Sequence, residues 1–113
     1  MLEAQGDFAG ARPFFERALA ISEKALGPEH PSTNRVRFHL SRLLLLLDDP
    51  TEALALGETA FAAHEKALGR DHAWTTDGTC VTADALAALG RTKEAKALRE
   101  RYGVTQPEKP EPS

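Results

Sequence analysis

One phrase of the sequence occurs twice, and this repetition constrains the fold more than any other feature. The stretch EKALGPEHPST begins at Glu23, and a close copy, EKALGRDHAWT, begins 42 residues later at Glu65. The same shift aligns Ala11 with Ala53 and then with Ala95. A fixed period of about 20 to 50 residues is typical of stacked supersecondary units. The chain is therefore expected to be an array of about two and a half such units.

Each unit has the pattern of two helices, because apolar residues recur every three or four positions between turn residues. The helices should end at Gly27-Pro28, at the DDP of residues 48–50, at Gly69 and at Gly90, since glycine accepts the closing conformation and proline cannot continue the hydrogen bonds. The predicted helices cover residues 8–26, 32–47, 51–68, 74–89 and 93–102. Gly78 lies inside the fourth and should cost it about 1 kcal/mol relative to alanine.

Composition and charge exclude several classes of protein. A net charge of −3 provides no positive field for nucleic acid. No apolar run reaches the roughly 18 to 20 residues of a membrane span, and the first ten residues lack the pattern of a signal peptide. The single cysteine, Cys80, cannot form an intrachain disulfide. We therefore expect a cytoplasmic protein that binds neither nucleic acid nor membrane.

Catalytic and metal-binding motifs are incomplete. The segment HEKAL at residues 64–68 begins like the zinc-protease helix HExxH, but Leu68 stands where the second histidine is needed. His30 and His72 occupy the same junction in successive units, so we interpret them as capping or packing residues. Neither GxSxG nor a glycine-rich phosphate loop occurs, and Cys80 lacks the local signature of a nucleophile. We expect no enzymatic activity, no metal and no cofactor.

The sequence resembles the tetratricopeptide family of helical-hairpin repeats, in particular the 42-residue variety of kinesin light chains and many bacterial signalling proteins. Three segments carry the likeness: GDFAGARPFFERALAISEKALGPEHPST, DPTEALALGETAFAAHEKALGRDHAWT and LGRTKEAKALRERYG. The resemblance implies an all-α fold, an α-α superhelix or solenoid of about five antiparallel helices. It implies one repeat domain over residues 1–103, with units at about 1–31, 32–73 and 74–103. Residues 104–113 are rich in proline and are expected to form a disordered tail.

Several positions can be compared with the family pattern. The small residues at which its helices cross closely would correspond to Ala11, Ala18, Ala53, Ala60 and Ala95. Gly57 and Arg99 stand in the slot that Phe15 occupies in the first unit, and Tyr102 replaces a small residue. The last unit is therefore expected to be degenerate.

The resemblance implies that the chain is a protein-protein interaction module. Stacked hairpins form a curved solenoid whose concave surface holds extended peptides or partner helices. Here the second and fourth helices would line that groove. By the resemblance, the partner-binding residues are Arg35, Phe38, His39, Arg42, Leu45, Leu46, Asp77, Cys80, Val81 and Asp84.

The period also predicts two pairs of opposite charge. Arg35 and Asp77 are 42 residues apart, and so are Arg42 and Asp84. Equivalent residues of stacked units lie side by side, so each arginine should face an aspartate on the neighbouring helix. These pairs are expected to fix the register of the units or to exchange for a charged peptide.

Residues 43–47 form a run of five leucines that a single helical face cannot bury. Leu43, Leu44 and Leu47 have the spacing of core residues. Leu45 and Leu46 would then turn toward the groove and create an apolar patch. The alternative is that these two pack against the fourth helix.

Self-assembly is the competing function. Phe8, Phe14 and Phe15 belong to the first helix, and only residues 1–5 precede the turn before it. Terminal units need polar caps, whereas burying a phenylalanine side chain contributes about 1.5 to 3 kcal/mol. We therefore expect a homodimer or higher assembly, joined through a two-fold contact that uses this helix either alone or together with the leucine patch. In this alternative the chain is a structural unit, either by itself or as part of a larger bacterial signalling regulator.

Overall fold

Five helices follow one another along the chain. The computed structural model describes the backbone of residues 8–103 and the side chains of residues 10–103. The helices are α1 (Phe8–Leu26), α2 (Pro31–Leu46), α3 (Pro50–Leu68), α4 (Ala73–Ala88) and α5 (Thr92–Tyr102). Each helix packs against the next, and α2 also contacts α4. The all-α array of helical hairpins predicted from the period is confirmed, whereas the proline-rich segment 104–113 lies outside the described residues.

Two histidines begin helices in the same way. Nδ1 of His30 accepts a hydrogen bond from the backbone N–H of Ser32 at 3.0 Å, and Nδ1 of His72 accepts one from Trp74 at 3.0 Å. Each cap satisfies an amide that has no partner within its own helix. Gly27 and Gly69 precede these junctions with φ angles of 96° and 92°, which favour glycine. The capping role predicted for both histidines is confirmed.

Close packing of the helices depends on small residues. Ala53 and Ala60 are fully buried in α3, and Ala95 is 1% exposed in α5. Gly78 has a packing role beyond its helical cost, because a Cβ there would lie 3.0 Å from Cα of Phe61. Gly57, which differs from its counterpart Phe15, is likewise buried between α2 and α4. A Cβ on Gly57 would meet the hydroxyl oxygens of Ser41 and Thr82 at 3.1 and 3.2 Å.

The core lies between α2, α3 and α4, and α5 packs against the edge of this core. Buried leucines from these three helices form the main cluster. Tyr102 of α5 donates its hydroxyl to Oε2 of Glu65 at 2.6 Å, and its ring meets Phe61 edge-on at 5.1 Å. The bond to Glu65, together with burial, raises the pKa of Tyr102. The large side chain that replaces a small residue here thus holds the last helix in place.

Candidate functional site

A pocket of about 590 Å³ opens between α2 and α4. Phe38 and Val81 form its floor, since they are only 4% and 2% exposed, and Leu46 stands at the rim with 58% of its surface exposed. The lining residues are Phe38, Arg42, Leu45, Leu46, Asp77, Cys80, Val81 and Asp84. The structure thus brings together eight of the ten residues assigned to the groove, while partner binding there stays a prediction.

Arg35 lies next to this pocket and is held from three sides. Its Nη1 donates to Oδ2 of Asp77 at 2.7 Å, so the first predicted ion pair is present. Its Cζ lies 4.6 Å from the centroid of the Phe38 ring and 5.0 Å from that of Trp74. A guanidinium near the face of an aromatic ring is attracted by the negative charge of that face. The guanidinium of Arg35 is therefore held by its own chain and is not free to pair with a bound peptide.

The second predicted pair, Arg42 with Asp84, was wrong. Nη2 of Arg99 on α5 donates to Oδ1 of Asp84 at 2.7 Å. The Arg99 side chain is only 13% exposed, so its charge needs a counterion within the protein. Arg42 is exposed, and its Cζ lies 5.8 Å from the centroid of the Phe38 ring. The α5 helix thus supplies the cation for the carboxylate that was expected to pair with α2.

His39 packs between aromatic rings instead of facing the pocket. Its ring stacks on Phe15 with centroids 6.3 Å apart and lies 5.1 Å from the ring of Phe38. Burial lowers the pKa of His39, and the nearby cations Arg35 and Arg42 lower it further. His39 therefore packs at the edge of the groove, and its contact with a bound peptide stays a prediction.

The leucine run divides as its helical spacing predicts, with one exception. Leu43 and Leu44 are buried, at 5% and 0% exposure, and Leu47 packs partly buried against the same core. Leu46 is exposed at the rim of the pocket. Leu45 lines the pocket but also packs against both core clusters. The expected free patch at the groove is thus provided by Leu46, while Leu45 is shared with the core.

Comparisons with known proteins agree with this architecture. Tetratricopeptide repeat models match residues 1–66 and, separately, residues 78–101. The chain belongs to the tetratricopeptide repeat family. Such repeats are generically protein-protein interaction modules.

Two relatives of this tetratricopeptide chain are named Clustered mitochondria protein homolog, from Culex quinquefasciatus and Aedes aegypti. Each is 32% identical to the chain over 71 residues, which is 63% of this chain and 5% of the relative. The chain therefore spans a small part of the length of these relatives. Within residues 8–103, the tetratricopeptide array contains no helix that is both long and apolar enough to cross a membrane.

The thiol of Cys80 lies in the pocket and is partly buried. Burial raises its pKa, and the carboxylates of Asp84 and Asp77 raise it further. The protonated thiol is therefore favoured, which weakens Cys80 as a nucleophile. In this tetratricopeptide groove the cysteine acts as part of the wall.

The residues predicted for self-association do not share one environment. Phe14 is 71% exposed on α1, together with Ile21 at 60% and Leu26 at 49%. Phe15 is partly buried, because it packs against the core and stacks on His39, so only part of its ring remains exposed. The reason is that α2 already covers the face of α1 from which Phe15 projects. The side chain of Phe8 lies outside the described residues.

Sequence reasoning missed two residues that organise the groove. Trp74 supplies a ring for Arg35, and Arg99 neutralises Asp84. A signal for Trp74 was present, because it stands one helical turn before Asp77, the predicted partner of Arg35. The role of Arg99 had no such signal, since its contact depends on how α5 crosses α4.

Proposed function

We propose that the chain is a non-catalytic interaction module that binds a peptide or partner helix in the groove between α2 and α4. The pocket carries this proposal, because it places an apolar floor of Phe38 and Val81 beneath the exposed side chain of Leu46. An open apolar pocket with a few charged groups around it is the usual form of a binding site. The 42-residue period supports the kinesin-light-chain-like variety of the family. The lone cysteine is compatible with the cytoplasmic setting that we propose.

A library of random 12-residue peptides displayed on phage tests this function. Leu46→Gln should weaken the binding of selected peptides by about fivefold, because part of a leucine surface would no longer be buried on binding. Leu26→Gln is the matched control, since Leu26 is also exposed but lies on α1. Both variants should unfold at the same temperature as the wild type. If the wild type and the Leu46 variant bound the peptides equally well, the proposal that peptides bind in the groove between α2 and α4 would be contradicted.

Cys80 provides an independent readout of occupancy. It is the only cysteine of the chain and lies in the pocket. A bound peptide should slow the reaction of its thiol with a disulfide reagent such as 4,4′-dithiodipyridine. Selected peptides that bind without slowing this reaction would show that they occupy another surface.

Self-assembly as a homodimer is the second candidate function, and a separate observation favours it. Phe14 and Ile21 are exposed and stand seven residues apart, which places them on one face of α1. The opposite end of the array presents the charged side chains of Lys93, Lys96 and Glu100 on α5. A head-to-tail contact would place the apolar face on these charges, whereas a two-fold contact between α1 helices would bury both apolar faces. The mass of the chain in solution tests this candidate.

A further inference from the structure

The charges around the groove are unbalanced. Asp77 and Asp84 line the pocket, but each carboxylate lies 2.7 Å from an arginine of its own chain. Arg42 lines the same pocket and is exposed, and among residues 10–103 it forms no ion pair with a carboxylate. His39, the other basic group nearby, has a lowered pKa that favours its neutral form. The apolar floor is therefore bordered by two neutralised carboxylates and one cation whose charge is not matched.

The spacing of Arg42 and Leu46 on α2 sets the distance that the side chains of a bound peptide must match. The two residues are four apart on α2, so their Cα atoms are separated by about 6 Å along the helix axis. In an extended peptide, side chains two positions apart point to the same side and are separated by about 6.6 Å. An extended segment along α2 can therefore place one side chain at Arg42 and the next on the same side at Leu46.

We propose that the groove selects an extended segment in which an aspartate or glutamate lies two positions from a large apolar residue. The carboxylate pairs with Arg42, and the apolar side chain enters the pocket between Leu46 and Val81. This inference rests on the proposed function of the groove and names the chemistry of its partner. It commits to an extended acidic and apolar peptide as the occupant.

The structure also disfavours the opposite charge. A basic side chain would find Asp77 and Asp84 already paired with Arg35 and Arg99, so the charge of each carboxylate is already offset in part. Arg35 is held by Phe38 and Trp74 as well as by its carboxylate. The net charge of −3 does not reverse this preference, because physiological salt screens exposed charges beyond about 8 Å. The exposed cation, Arg42, therefore decides which charge the groove prefers in a bound peptide.

The random 12-residue peptide library, selected in parallel on three proteins, tests the inference. Peptides selected on the wild type should be enriched in an acidic residue two positions from leucine, phenylalanine or methionine. Selection on Arg42→Gln should lose the acidic enrichment and keep the apolar one. Arg17→Gln is the matched control, because Arg17 is an exposed arginine of α1 and its loss changes the net charge equally. This control should give the wild-type pattern.

The affinity of one selected acidic peptide gives the quantitative test. Arg42→Gln should weaken its binding by about fivefold, the effect expected for a solvent-accessible ion pair, and added salt should reduce the difference. An acidic preference that survives in Arg42→Gln, or a basic preference in the wild type, would overturn the inference while leaving groove binding intact. If neither Arg42→Gln nor Leu46→Gln changed the affinity of the selected peptides, the proposed function would be overturned as well.

Two other occupants would be recognised in the same experiments. Acidic and apolar residues spaced three or four positions apart would indicate a bound helix and would overturn the extended geometry. A dimer that Leu46→Gln dissociates and Phe14→Glu leaves intact would show that a second copy of the chain fills the groove. That result would also overturn the assignment of a peptide partner.

Discussion

Arg35 and Asp77 join successive units of the array, with Nη1 of the arginine 2.7 Å from Oδ2 of the aspartate. The two residues are 42 positions apart, so equivalent positions of neighbouring units do lie side by side on α2 and α4. Arg35 also lies near the rings of Phe38 and Trp74. The arginine therefore makes contacts that the aspartate does not share.

This asymmetry predicts unequal costs for removing the two partners. Asp77→Asn should lower the free energy of unfolding by about 0.2 to 1 kcal/mol, because the pair is partly exposed and screened. Arg35→Gln should cost roughly 0.5 to 1 kcal/mol more, because it also removes contacts with two aromatic rings. Urea unfolding of both variants measures the difference. Equal costs would show that the aromatic contacts contribute nothing.

The period located one ion pair between units, but it carries no information on contacts within a unit. Arg35 and Asp77 occupy equivalent slots, so a shift of 42 finds them. Arg99 and Asp84 are only 15 residues apart, on the two helices of one hairpin, and their contact follows from the crossing of α4 and α5. Arg99 stands in the slot of Gly57, so in the preceding unit no side chain is present to suggest this contact.

Neighbouring phenylalanines illustrate a second limit of the sequence. Phe14 and Phe15 differ by one position, which is about 100° around a helix. Helical periodicity therefore places their side chains on different parts of the helix surface, but it does not show which of the two a neighbouring helix covers. The packing of α2 on α1 covers one and leaves the other in solvent. That choice depends on tertiary packing and not on local pattern.

Two glycines in helices should respond differently to replacement by alanine. Gly78→Ala should destabilise the protein by about 1 to 3 kcal/mol, because the new methyl group would press on the backbone of Phe61 and force α3 and α4 apart. Gly10→Ala on α1 has nothing within 4 Å of the added Cβ. It should be neutral or stabilising by up to about 1 kcal/mol. Thermal unfolding of the two variants measures these effects. A Gly78→Ala variant that is more stable than the wild type would contradict the close approach of α4 to α3 at Phe61.

Acidification should weaken the fold through His39. Its pKa is lowered in the folded protein from an ordinary value of 6.5, so the unfolded chain takes up a proton first as the pH falls. The free energy of unfolding should therefore decrease as the pH falls through 6.5 toward the lowered pKa of His39. Above that range His39 is neutral in both states and should make the free energy of unfolding no more dependent on pH. Urea midpoints at pH 7.5 and 5.5 measure the decrease, which should be smaller in His39→Gln. An identical decrease in that variant would assign the effect to another group.

Phe14 provides the sharpest test of self-association. Phe14→Glu places a charge in the middle of the apolar face of α1 without touching the core, since the residue is 71% exposed. It should convert a wild-type dimer to a monomer in analytical ultracentrifugation and leave the melting temperature nearly unchanged. Phe15→Glu is not suited to this purpose, because it would put a charge against the core beside His39 and unfold the protein.

Leu46→Glu is the matched control for Phe14→Glu. Leu46 is also a large, exposed apolar residue, at 58%, but it lies at the groove and not on α1. The same charge at this position should leave the dimer intact, because a two-fold contact between α1 helices does not involve it. A wild type that sediments as a monomer at millimolar concentration would refute the dimer, and a dimer that only Leu46→Glu dissociates would move the contact from α1 to the groove.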